Sequence, residues 1–152
     1  MKYLYLTVAL LVTSTTLRAQ QGSPAYDKHL ADSLGADPYG MKMYVLVILK
    51  TGPRPSDNKD TVSALFRGHM ENMGRLAKAG KLTVAGPLGK NDRNWRGIFI
   101  LNVKEIDEAQ QLLKTDPAIA GGLLEAECYR WYGSAALPMY LPFPDKVQEK
   151  KH

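Results

Sequence analysis

His69 is the side chain in this sequence best suited to chemistry near neutral pH, because imidazole is the one ordinary group that titrates between pH 5 and 8. It stands within "LFRGHMENMGRLAKAG", residues 65–80. Val62, Leu65, Phe66, His69, Met73 and Leu76 recur at i, i+3, i+4, i+7, i+11 and i+14. That spacing predicts an amphipathic helix of about five turns closed by Gly80, with His69 on its apolar stripe. Two readings follow. His69 is either a core histidine with a satisfied ring or the working group of a site. No serine, threonine or cysteine stands out as its nucleophile, so triad-type acyl transfer is not expected.

The other candidates are weaker by residue type alone. Asp116 precedes Pro117, which predicts a helix start with Asp as cap and Pro at the first helical position. Cys128 is the single cysteine, so it forms no internal disulfide. Inside the strand-like "EAECYRWY" it reads as a small buried apolar residue. Arg130 and Tyr132 alternate with Cys128 on one strand face, and Tyr44 shares a face of the first strand with Leu46 and Ile48. Tyr44 and Arg130 are the candidates to line a cleft, Arg130 as a planar clamp for a carboxylate substrate. Trp95 and Arg96 could cover its mouth. His29 and His152 lie in terminal segments with no paired-histidine or paired-cysteine spacing, so no metal site and no cofactor are expected.

These residues need a scaffold, and the hydropathy pattern supplies one. "MYVLVIL" (43–49), "KLTVAGPL" (81–88), "GIFILNV" (97–103) and "EAECYRWY" (125–132) read as strands. Helices are predicted from Thr61, over 105–115, and briefly from Pro117 to Gly121-Gly122. The order β-α-β-β-α-β predicts an α+β domain: a ferredoxin-like split-βαβ unit with a four-stranded antiparallel sheet and helices on one face. "MYVLVIL" and "GIFILNV" are apolar on both faces, whereas a water-facing antiparallel sheet should alternate. The second face therefore needs a cover. A homodimer packed sheet to sheet is the simplest one.

The flanks differ in character. Residues 1–19 open with Lys2, continue through "LYLTVALLV" and reach Ala19, the pattern of a cleaved export signal too short to span a membrane. Export to the periplasm or the outside is expected, with no membrane span afterwards. Losing Lys2 and Arg18 would lower the formal +5 balance by two charges. The remaining excess is scattered, so nucleic acid is not an expected partner. Residues 20–41 form an N-terminal extension in which "YDKHLADSLG" could make two helical turns closed by Gly35. Residues 42–133 are the domain. Residues 134–152 form a Pro-rich and then charged tail, read as an arm without regular structure.

The histidine-bearing helix, "AGKLTVAGPL", an apolar strand and then "TDPAIAGGLLEAECYRWY" together resemble the YCII-related (YciI-like) family over about residues 41–133. That family belongs to the dimeric α/β-barrel superfamily. The resemblance implies a histidine–aspartate pair, His69 and Asp116 here, in a cleft beside the dimer-covered sheet. It also implies that Gly86 and Pro87 line the cleft. An enzyme is implied, with general acid–base chemistry of isomerase or lyase type on a small organic molecule. The alternatives are a dimeric module that only binds a small ligand, and an assembly role for the Pro-rich arm.

Overall fold

A computed structural model describes residues 26–150. The proposed export signal and His152 lie outside them. After a short helix α1 (Lys28–Leu34) the chain forms β1 (Met41–Thr51), α2 (Lys59–Lys78), β2 (Leu82–Pro87), β3 (Trp95–Leu101), α3 (Ile106–Lys114), α4 (Pro117–Ala120) and β4 (Leu124–Ser134). The four strands make one antiparallel sheet in the order β2-β3-β1-β4. This is the split-βαβ, ferredoxin-like arrangement: β3 is inserted between β1 and β2, and β4 adds to the outer side of β1.

Local chemistry accounts for the element ends. Asp27 caps α1 and Gly35 closes it with a left-handed backbone. Helix α2 begins two residues before the expected Thr61, because the Asn58 side chain accepts the Thr61 N–H and so sets the first turn earlier. Gly80 follows α2 at φ 67°, where its N–H and that of Lys81 reach back to Ala77 and Leu76 carbonyls.

The sheet has two different faces. Val45, Val47 and Leu49 of β1 join Phe99 and Leu101 of β3 in the core, against Leu76 of α2 and Ala109 and Leu113 of α3. Tyr44, Leu46 and Ile48 alternate onto the opposite face. There Tyr44 is fully buried and packs on Trp131 at 5.6 Å between ring centroids. Leu46 and Ile98 are only half-buried, and Tyr129 is 49 % exposed.

The tail differs from the expected arm without regular structure. It makes a 3₁₀ turn over Leu137–Tyr140 and a last helix, α5 (Pro144–Val147). Pro138 and Pro144 sit in the first turns, where proline costs no hydrogen bond. The Tyr140 hydroxyl donates to the Thr83 carbonyl of β2, although the tail leaves the sheet from β4 at the other edge. The segment therefore ties the far edge strand to the chain that follows β4. Among the described residues, no helix is long and apolar enough to cross a membrane.

Candidate functional site

Asp116 caps α4. Its Oδ1 accepts the N–H groups of Ala118 at 3.0 Å and Ile119 at 3.3 Å. Capping uses one carboxylate oxygen and leaves the other free. That second oxygen, Oδ2, lies 2.7 Å from His69 Nδ1. The two residues are 47 positions apart, and a glycine lets them meet. A Cβ on Gly68 would stand 2.7 Å from Pro117 Cγ, so only glycine admits the start of α4 this close to α2. One residue further along the helix, His69 faces Asp116.

Both partners are enclosed. Asp116 is fully buried, and the His69 side chain is 9 % exposed. The imidazole lies on the Phe99 ring at 5.8 Å and 22°, with the Phe66 ring edge-on at 6.1 Å. Phe99 belongs to the helix-covered face, so the pair sits between the helix layer and the sheet. The resemblance implied a cleft beside the dimer-covered sheet, and the pair lies on the helix side of that sheet. Burial pushes the Asp116 carboxyl up. The hydrogen bond and charge of His69, the Ile119 N–H and the Asn72 amide outweigh that and hold it below the usual carboxylate range.

An ionised Asp116 next to Nδ1 makes Nδ1 the proton-bearing nitrogen and leaves the Nε2 lone pair for chemistry. Among the described residues Nε2 has no hydrogen-bond partner, and it is not sealed from solvent. This is a base with its orienting carboxylate, the arrangement general acid–base catalysis uses.

Asn72 supports the pair and is itself held by Arg75 and Thr115, and none of the three was singled out from the sequence. Asn72 is buried one turn along α2 from His69, with its Nδ2 3.4 Å from Asp116 Oδ2. Its Oδ1 accepts from Arg75 Nη2 at 2.7 Å, and the same Arg75 nitrogen donates to Thr115 Oγ1 at 2.8 Å. The i, i+3 spacing from His69 to Asn72 was the available signal, since it puts both on one helix face.

The remaining candidates lie elsewhere. Gly86 pairs with Ile98, one rung beyond the Ala85–Phe99 pair, and is half-buried, while Pro87 is exposed. This turn is near the ring that supports His69 but makes no hydrogen bond to it. Tyr44 is on the opposite sheet face with its hydroxyl donating to the Ser134 carbonyl at 2.8 Å. It does not line the His69 site. Arg130 points to the helix side but is half-exposed and stands 3.8 Å from Glu105 at the start of α3. The register explains both positions. Tyr44 pairs with Trp131 and so points away from the core, whereas Arg130 pairs with core-facing Val45 but lies far along the edge strand. Trp95 opens β3 under the Arg93 guanidinium at 5.2 Å. His29 is exposed. Among the described residues no three His, Cys, Asp or Glu side chains are gathered around a common point.

The sequence pattern of the YCII-related domain matches residues 43–131. Among curated proteins, none matches. Among solved structures, the chain is similar to 5-chloro-2-hydroxyhydroquinone dehydrochlorinase (TftG) from Burkholderia phenoliruptrix AC1100, in complex with 2,5-dihydroxybenzoquinone. The identity is 22 % and the TM-score 0.41, over 57 % of this chain and 92 % of that one.

Proposed function

The chain belongs to the YCII-related family, and from that premise we propose that it is an enzyme using His69 as a general acid–base on a small organic molecule. Isomerisation or elimination is the reaction type that fits. The carrying observation is the 2.7 Å contact between His69 Nδ1 and a buried, ionised Asp116, with Nε2 left over. Nε2 takes a proton from a carbon acid, and the imidazolium so formed is stabilised by Asp116. After exchange with solvent, Nε2 delivers a proton to a different atom in an isomerisation. In an elimination, the electron pair released from the C–H bond forms the double bond as the leaving group departs. The low proton affinity of Asp116 keeps the second proton on Nδ1 throughout. We infer further that two copies pair through the half-covered sheet face, where Leu46, Ile98 and Tyr129 remain accessible, and that residues 1–19 direct export.

The test is wash-in of solvent deuterium into a panel of enolisable carbonyl compounds, followed by NMR. Exchange of a compound by the wild type and a loss of about 10²–10⁴-fold in His69→Gln is the expected result. A compound that thermally stabilises both proteins equally, with no exchange in either, would instead favour a binding module.

A further inference from the structure

On the far side of α4 from His69 lies a cleft of about 330 Å³, bounded by α3, α4, β4 and the loop after β1. Its floor is apolar: Leu113, Ile119, Leu124, Ala126 and Cys128. Burial pushes the Cys128 thiol up, so it contributes as a neutral group. The walls are built by a close backbone crossing. Gly52 N–H donates to the Leu123 carbonyl at 2.8 Å and Arg54 N–H to the Gly122 carbonyl at 3.0 Å. A Cβ on Gly52 would sit 2.2 Å from Gly122 O, so the crossing needs glycine there.

The charge in this cleft is positive. Arg54 and Lys114 both line it. Arg54 Nη2 donates to the Ala120 carbonyl at 2.9 Å, which holds the guanidinium across the end of α4. Among the described residues, its other N–H groups and the Lys114 ammonium have no partner. Glu125 also borders the cleft, but its strand position pairs with Lys50, and its carboxylate lies 3.9 Å from Lys50 Nζ. That charge is directed to the opposite sheet face.

We propose that this cleft binds a small organic acid, its apolar body on the Ile119–Leu124 floor and its carboxylate between Arg54 and Lys114. Pockets of this size hold small ligands, with an apolar lining for affinity and a few polar groups for orientation. A guanidinium suits a carboxylate because its N–H groups match the two oxygens in one plane. The proposal does not rest on the role given to His69.

Octanoate is the probe and octanamide its neutral counterpart, read by methyl NMR on the full chain. Octanoate is expected to shift the Ile119 and Leu124 methyls and leave Leu46, on the other sheet face, unmoved. A Kd in the millimolar range is the scale for about ten heavy atoms. Octanamide, and octanoate with the Arg54→Gln/Lys114→Gln variant, are each expected to bind about tenfold more weakly. Both changes lie at an exposed rim, and the methyl spectrum itself reports whether the variant is folded. In His69→Gln, octanoate binding is expected to be unchanged. No shift at Ile119 and Leu124, equal binding of octanamide, unweakened binding by the double variant, or loss of binding in His69→Gln would each overturn the proposal.

Discussion

Helix α4 is only four residues long, yet its two sides face opposite kinds of environment. On one side a buried carboxylate and a largely buried imidazole are matched atom by atom, and of the imidazole only Nε2 is left for a ligand. On the other, two cations stand at the rim of an apolar cleft with donors to spare. The contrast reflects the cost of burying charge. An ionised group far from water needs partners on nearly every lone pair, and Asp116 has two backbone N–H groups, an imidazole and an amide. Arg54 and Lys114 remain in water and need no such shell. The His69 side is therefore suited to holding one geometry around a reacting atom, and the cationic side to accepting ligands of several shapes.

The sharpest way to break the contrast is Asp116→Ala. It removes the histidine's partner and the α4 cap together, and a loss of about 3–5 kcal/mol in unfolding free energy is expected by denaturant titration. The wild type should show the same dependence in acid. A carboxyl whose folded pKa is depressed stabilises the fold above its ordinary value, here 3.8, and loses that contribution as pH falls below it. Asp116→Asn keeps a capping side chain but has no carboxyl to titrate. Its acid-induced loss of stability below pH 3.8 should be smaller than the wild type's. Equal losses would show that Asp116 is not held ionised.

Next comes the cationic side's backbone. Gly52→Ala forces a Cβ into the Gly122 carbonyl, and about 1–3 kcal/mol should be lost as the crossing opens. Octanoate binding should weaken with it, while the His69 imidazole resonances stay in place. A shift of those resonances would show that the two sides of α4 are mechanically coupled. The smallest effect is expected from Asn72→Ala. Its 3.4 Å contact is long, and about 1 kcal/mol is expected from thermal denaturation. A loss as large as that of Asp116→Ala would make Asn72 the carboxylate's main support.

Periodicity was enough to place His69 on the buried stripe, and Asp-Pro was enough to mark Asp116 as a cap. Their meeting was not readable from spacing. It depends on α2 and α4 touching at Gly68 and Pro117, a contact between segments far apart in the chain, and only the family resemblance pointed to it. In retrospect, a glycine on a helix face next to a histidine marks a place where another backbone comes close. The apolar runs pointed to a second sheet face in need of a cover, but not to how much of it the chain covers itself. Tyr44 needs no second molecule to be buried, because Trp131 and the end of β4 already enclose it. The tail departs from the expected arm because prolines can open a helix as well as end one. At the first turn of a helix they are starters, and Pro138 and Pro144 both stand there.

The Tyr140 bond to Thr83 also alters how the domain carries load. Pulled from its C-terminal end, an edge strand such as β4 would unzip from β1 one rung at a time. Here the tail is fastened first to β2, at the far edge. Tension applied at residue 150 reaches that fastening before it reaches Ser134, and part of it passes into the opposite side of the sheet. The strand most open to peeling is thus shielded by an anchor three strands away.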